Sequence, residues 1–312
     1  VRISFGVLGR FGSADGSITT DFETSGGNSI LGGTRADTDG DGDQDIVLIG
    51  DGYGSTFVQV IRNDGDRNFT LLDRGKIAGN EFAINDVWGG QLNAGNKADI
   101  IVSDADNERI IILAGLGTGN VTLIARLRIG TEAHGIDVAD MDGDGDRDIV
   151  LATDTGVSIM VEEGNFSYGQ LISTVFGGGA RDVAVGNYNP GSAPDVAAIV
   201  GDGYGEFVFL RNQSSAPDQP FLRKLPQTDF ALGGDLMVDR ITQGDINGDG
   251  TPDFILQNIA GDDGAFILNG DGFLGVAEGG YFETRFSGNG PFSPALADAD
   301  NDGDLDLLYL SD

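Results

Sequence analysis

A nine-residue pattern, Asp-x-Asp-Gly-Asp-Gly-x-x-Asp, returns along the chain at intervals of about 50 residues and fixes most of what this sequence can fold into. The copies are Asp37-Thr-Asp39-Gly-Asp41-Gly-Asp43-Gln-Asp45 (37–45) and Asp140-Met-Asp142-Gly-Asp144-Gly-Asp146-Arg-Asp148 (140–148). Two more are Asp245-Ile-Asn247-Gly-Asp249-Gly-Thr251-Pro-Asp253 (245–253) and Asp298-Ala-Asp300-Asn-Asp302-Gly-Asp304-Leu-Asp306 (298–306). At 91–99 and 187–195 the frame persists with most acidic groups gone, yet each copy keeps its last residue, Asp99 or Asp195.

Each loop leads at once into a short apolar run: Ile46–Ile49, Ile100–Val102, Ile149–Leu151, Val196–Val200, Phe254–Leu256 and Leu307–Leu310. Runs this short, bounded by Gly and Asp, read as buried strands. Further alternating strands follow, such as Phe57–Ile61 and Phe69–Leu72 around Asn63-Asp64-Gly65. One loop per four-stranded unit predicts an all-β, six-bladed β-propeller, with seven blades as the alternative count. The sixth loop has only one strand after it, so Arg2–Leu8 and Ile18–Phe22 are expected to complete the last blade with the C-terminal strand. On this reading residues 1–312 form a single, complete domain.

Composition agrees. The 52 Gly, the strong excess of Asp over Glu and the three lysines, Lys76, Lys97 and Lys224, disfavour helix interiors. A formal charge of −32 makes nucleic acid and anionic membrane surfaces improbable partners. No apolar stretch approaches the roughly 18 residues that span a bilayer, so no membrane insertion is expected. The absence of Cys removes disulfides, Cys-ligated zinc, iron–sulfur clusters and a thiol nucleophile.

In the full loops, alternate residues present hard carboxylate oxygens and a Gly at the sixth place permits the bend, which is calcium chemistry. Places 1, 3, 5 and 9 supply side-chain oxygens: Asp37, Asp39, Asp41 and Asp45; Asp140, Asp142, Asp144 and Asp148; Asp245, Asn247, Asp249 and Asp253; Asp298, Asp300, Asp302 and Asp306. Place 7 supplies a backbone carbonyl from Asp43, Asp146, Thr251 or Asp304. A helix-loop-helix calcium site is excluded, because its twelfth-place Glu falls on Leu48, Leu151, Leu256 and Tyr309. The expectation is about four Ca²⁺ ions. Sites with dissociation constants of about 10⁻⁴–10⁻³ M fill outside the cell and not within it, which places the protein extracellularly.

The four loops, and the segment Gly177-Gly-Gly-Ala-Arg-Asp-Val-Ala-Val-Gly-Asn-Tyr-Asn-Pro-Gly-Ser-Ala-Pro-Asp195, resemble the FG-GAP/VCBS repeats of integrin-α-like propellers over essentially the whole chain. The resemblance implies that each loop joins the first and second strands of a blade, that its calcium is structural, and that ligands bind elsewhere. It implies a secreted or cell-surface recognition module whose partner is a glycan or a cell-surface protein. The blades at Gln91 and Asn187 depart from the metal pattern and are expected to bind calcium weakly or not at all.

Catalytic signatures are absent. His134 is the sole histidine and no Gly-x-Ser-x-Gly elbow accompanies it, so a non-enzymatic role is expected. Residues ahead of the innermost strands, namely Asn80 with Glu81, Glu132 with His134, Arg181 with Asp182, Asp235 and Arg240, are the candidate polar ligand surface. Loop solvation or hydrogen bonding between blades is the plainer role for them. Trp88 is expected to pack between blades, and the four Asn-x-Ser/Thr sequons at Asn68, Asn120, Asn165 and Asn212 read as turn residues of the repeat. A polysaccharide-active domain using two carboxylates, and a structural subunit of a surface assembly, are the alternatives to recognition.

Overall fold

The computed structural model describes residues 2–5, 18–21, 29–52, 54–65, 68–78, 83–93, 95–189, 191, 193–201, 205–214, 221–224, 238–257, 265–272, 276–284, 295–297 and 305–308. They are all-β apart from one 3-10 turn at Ala105–Asn107. The chain divides into two compact units, Val1–Glu132 and Ala133–Asp312.

The first unit holds an N-terminal pair, β1 (Arg2–Phe5) with β2 (Ile18–Asp21), and two blades. Blade one comprises β3 (Ser29–Ala36), β4 (Asp45–Gly52), β5 (Ser55–Asn63), β6 (Phe69–Leu71) and β7 (Gly75–Ala78). Blade two runs β8 (Val87–Gly90), β9 (Asp99–Asp104), β10 (Arg109–Gly115) and β11 (Val121–Arg128).

Three blades make up most of the second unit. They are β12 (Ala133–Ala139), β13 (Asp148–Thr153), β14 (Gly156–Glu162) and β15 (Tyr168–Val175); β16 (Ala180–Gly186), β17 (Asp195–Val200), β18 (Glu206–Asn212) and β19 (Leu222–Lys224); and β20 (Arg240–Gly244), β21 (Asp253–Gln257), β22 (Ala265–Gly270) and β23 (Val276–Thr284). A C-terminal pair follows, β24 (Ala295–Ala297) with β25 (Asp306–Leu308).

The architecture is therefore a β-propeller type of antiparallel blades built on four strands, but among the described residues the count is five, neither six nor seven. One loop per blade overcounts, because the loop at 298–306 joins only the two short strands β24 and β25. The expected joint last blade is not formed among the described residues: β1 pairs with β2 and β24 with β25, each as a separate two-stranded sheet.

Burial follows position in the blade. The second strands β9, β13 and β17 are buried at every residue, which is why they read as unbroken apolar runs behind an Asp. The outer strand β11, Val-Thr-Leu-Ile-Ala-Arg-Leu-Arg, alternates half-buried and exposed positions along its whole length, as a one-sided strand must. Neighbouring sheets share cores. Val47, Ile49, Val58 and Val60 of blade one pack with Ile100, Val102, Ile111 and Leu113 of blade two. In the second unit Val150 and Ile159 join Val183, Val196 and Val208, and Phe207, Phe209, Phe254 and Tyr188 form edge-on aromatic contacts at 5.1–5.5 Å.

Blade one has a feature that alternation does not reveal. Its outer strand is interrupted at 72–74, so β6 and β7 both pair with β5, on separate stretches of it. The buried Gln59 fills the break: its amide nitrogen donates to the Leu72 carbonyl, and its oxygen accepts from Arg74 Nε at 2.8 Å. The Arg74 guanidinium also lies 4.4 Å over the Phe57 ring.

Where β12 and β16 meet, Gly135 is required by space. A Cβ there would stand 2.9 Å from the Asp182 Cα and collide with its carboxylate. Gly135→Ala is expected to cost about 1–3 kcal/mol by forcing these strands apart, read as a lowered midpoint in denaturant unfolding. A wild-type midpoint would mean the strands separate freely.

Candidate metal loops and the inner strands

Each of the three full loops among the described residues curls because glycines at its fourth and sixth places take positive φ: Gly40 at 84° and Gly42 at 99°, Gly143 and Gly145 at the same two values, Gly248 at 74° and Gly250 at 85°. Any side chain would strain these positions. The carboxylates are then pulled inward by backbone N–H groups. Asp37 accepts from Gly40 at 2.7 Å and Gly42 at 3.0 Å, and Asp140 from Gly143 at 2.6 Å and Gly145 at 3.0 Å. Asp41 accepts from the Asp43 nitrogen at 2.9 Å, as Asp144 does from Asp146. In the third loop Asp245 accepts from Asp249 and Gly250, Asn247 Oδ1 from Asp249, and Asp249 from Thr251.

The outcome is convergence. Ligand oxygens of Asp37, Asp39 and Asp41 lie within 4.8 Å of one another, and so do those of Asp140, Asp142 and Asp144. Burial pushes the Asp39 carboxyl up, and its neighbours Asp41, Asp45 and Asp37 add to the shift. Three hard oxygen donors at this spacing can hold a metal ion, whose charge would relieve the repulsion. Asp43 and Asp146 stand exposed beside these sets. Asp298, Asp300, Asp302 and Asp304 lie outside the described residues, and Asp306 opens β25.

The ninth-place aspartates do something different. Asp45, Asp148 and Asp253 are fully buried. One oxygen of each accepts from the second-place nitrogen of its own loop: Thr38 at 2.9 Å, Met141 at 2.7 Å, Ile246 at 2.9 Å. The other accepts from the end of the blade's third strand: Asn63 at 2.9 Å, Glu162 at 2.9 Å, Gly270 at 3.0 Å. This residue ties loop, second strand and third strand together whether or not a metal is bound.

That explains the two reduced loops. Asp99 accepts from the Leu92 nitrogen at 3.3 Å and the Asn93 amide at 3.1 Å. Asp195 accepts from the Asn212 nitrogen at 2.8 Å and from the Asn189 amide. In both, a third-place Asn turns a donor toward the buried carboxylate, where the first two full loops carry an Asp.

Burial outweighs these hydrogen bonds at Asp148, whose pKa is pushed up to about 7, with Asp142 and Asp144 adding to the shift. Asp99, Asp195, Asp253 and Glu162 shift upward for the same leading reason. A folded-state pKa above the unfolded value means that folding takes up a proton, so stability is full below about pH 4 and falls as pH rises toward 7. In chelator, Asp148 alone is expected to account for a loss of roughly 3 kcal/mol between pH 4.5 and 7.5. Denaturant midpoints at pH 4.5 and 7.5 measure it, and an unchanged midpoint contradicts it.

The candidate ligand residues before the inner strands are largely engaged in contacts of the fold, and one of these, Arg240 with His134, joins two of them. Asp182, buried in β16, accepts from its own Val183 nitrogen at 2.9 Å and from Ile241 of β20 at 2.7 Å. Arg240 donates to the His134 carbonyl at 2.9 Å, Arg181 pairs with Asp239 at 3.0 Å, and His134 Nε2 sits 2.8 Å from Asp154. Glu132 is half-buried just ahead of β12, while Glu81 and Asp235 lie outside the described residues. Sequence reasoning missed Asp137 of β12, which accepts from Val185 of β16 at 2.7 Å; its only signal is a carboxylate inside an otherwise apolar inner strand. The half-buried Trp88 lies against Gly90 of its own strand. The sequon residue Asn212 is buried and donates to the Met141 carbonyl, while Asn68, Asn120 and Asn165 are exposed at turns.

Among the described residues no helix is long and apolar enough to cross a membrane. No curated protein matches the chain in sequence. Among the solved structures that share its fold are the following two. One is an Agrocybe aegerita lectin described as specifically recognising non-reducing terminal N-acetylglucosamine, at 15% identity and TM-score 0.58, covering 91% of this chain and 75% of the lectin. The other is BBS1N in complex with ARL6DN, at 13% identity and TM-score 0.51, covering 94% of this chain and 82% of that one. The model of the FG-GAP-like repeat matches residues 92–151 and 245–309, each stretch running from one aspartate loop into or through the next. The chain thus carries FG-GAP-like repeats in two regions, laid out on the four-stranded blades of a β-propeller.

Proposed function

We propose that this protein is a non-catalytic recognition module, working outside the cell and stiffened by calcium, whose ligand is a glycan. The observation that carries the reading is the pairing of converging carboxylate loops with FG-GAP-like repeats. Asp37, Asp39 and Asp41 would hold one ion, Asp140, Asp142 and Asp144 a second, and Asp245, Asn247 and Asp249 a third, with 298–306 as the fourth loop. Calcium suits all-oxygen donor sets of this kind and would supply charge neutralisation, not chemistry. Fold likeness to a lectin favours a saccharide over a protein ligand, although fold alone does not assign function.

A glycan array probed in millimolar calcium tests the reading. Binding to a defined set of glycans, lost in chelator, is the expected result. An array with no signal in calcium, or turnover of a bound polysaccharide, would overturn it.

A further inference from the structure

At the end of blade two opposite its aspartate loop lies an open cavity of about 460 Å³, lined by Asp106, Asn107, Glu108, Arg109, Arg126 and Arg128. We infer that this cavity is a binding site for a saccharide bearing a carboxylate, a uronic acid residue, with Arg128 and Arg126 receiving the acid group and Asp106, Asn107 and Glu108 the hydroxyls. The inference rests on the recognition reading above and gives it a site and a ligand class.

Charge is the first argument. The chain has only 18 basic residues against 50 acidic ones, yet three arginines converge here. Arg109 and Arg128 stand directly opposite each other on β10 and β11, an arrangement of like charges that is unfavourable by itself. Arg109 is compensated, because its Nε lies 2.5 Å from the buried Asp104. Arg126 gives one nitrogen to the Ile77 carbonyl. Arg128, exposed on the same face of β11 as Arg126, has no side-chain hydrogen bond or ion pair among the described residues. A planar guanidinium left so is suited to a carboxylate, which it can engage through two parallel N–H donors.

The rest of the lining selects the kind of anion. Asp106 and Glu108 would repel a polyanion such as an acidic peptide, but carboxylates and an amide are good partners for neighbouring sugar hydroxyls. The turn that presents them is held in place. Asp106 accepts from the Ala83 nitrogen at 2.9 Å, and the Asn107 amide donates to both oxygens of Asp104. Glu108 adopts a left-handed conformation at φ 49° while its carbonyl accepts from Ile129 and Gly130. Glu108 is the left-handed cap of the 3-10 turn, which fixes where its side chain leaves the backbone.

The test uses the intact protein in calcium, a trisaccharide ending in glucuronic acid, its counterpart ending in glucose, and hexa-aspartate. The acidic trisaccharide is expected to bind at least about tenfold more tightly than the neutral one, and Arg128→Gln to lose about tenfold, with Arg128→Lys intermediate because it keeps the charge without the fork. Unfolding of Arg128→Gln should match wild type, since no contact of the fold is removed. Equal binding of the two trisaccharides, an unaffected Arg128→Gln, or preference for hexa-aspartate overturns the inference. Neutral glycans bound unchanged by Arg128→Gln would leave the recognition reading standing while removing this site; no saccharide binding of any kind would remove both.

Discussion

Asp99→Ala is expected to cost about 3–5 kcal/mol of folding stability, and to cost the same in calcium as in chelator. Asp99 is 2% exposed and accepts from the Leu92 nitrogen, the Asn93 amide and the Gly115 nitrogen. Alanine would leave the buried Leu92 nitrogen and the half-buried Gly115 nitrogen without an acceptor, each costing about 1–3 kcal/mol, while the exposed Asn93 amide can turn to water; no longer burying a carboxyl group offsets part of the loss. Asp39→Ala in the first loop should behave in the opposite way. It removes one converging carboxylate and relieves repulsion, so its loss should be about 1.4 kcal/mol at free calcium ten times the dissociation constant and near zero in chelator. Urea unfolding of both variants, with and without calcium, separates the two roles. If the Asp99→Ala loss disappears in chelator, the ninth-place residue acts through metal and not through the backbone.

Removing calcium from the wild-type protein should have a comparable effect. At free calcium ten times the dissociation constant each site contributes about 1.4 kcal/mol, so four sites contribute on the order of 5–6 kcal/mol. For a chain of this size that corresponds to a fall in Tm of about 10–20 °C. Calorimetric titration should count about four ions, and Asp142→Ala, which removes the third-place oxygen donor outright, should reduce the count by one. An unchanged Tm in chelator would make the loops acidic turns, and the calcium and extracellular readings would fall together.

The repeat frame, the buried second strands and the converging carboxylates were legible because each depends on residues adjacent in sequence. Asp37, Asp39 and Asp41 meet through local turns that Gly40 and Gly42 permit, so spacing alone brings them together. Blade number was not legible, because it depends on strand pairing at the termini, and a loop at 298–306 looks the same whether four strands follow it or one. The broken outer strand at Gln59 and the contact of Asp137 with β16 were hidden for a related reason: the partner is set by tertiary approach. The backbone role of the ninth-place Asp went unread. Its survival in 91–99 and 187–195, where the other acids are gone, was the available sign that it serves the backbone.

In every complete blade the aspartate loop, full or reduced, joins the first strand to the second, which puts it at the opposite end from the turn between the second and third strands. Within each blade the hydrogen-bonded loop and its buried ninth-place aspartate thus gather at one end. The turns at the other end, between the second and third strands, carry none of these ninth-place aspartates. Their residues can change, lengthen or acquire new chemistry at small cost to folding, as loops on a stiff scaffold do. A chain built this way can exchange one ligand for another by rewriting a few short turns while its folding instructions stay intact.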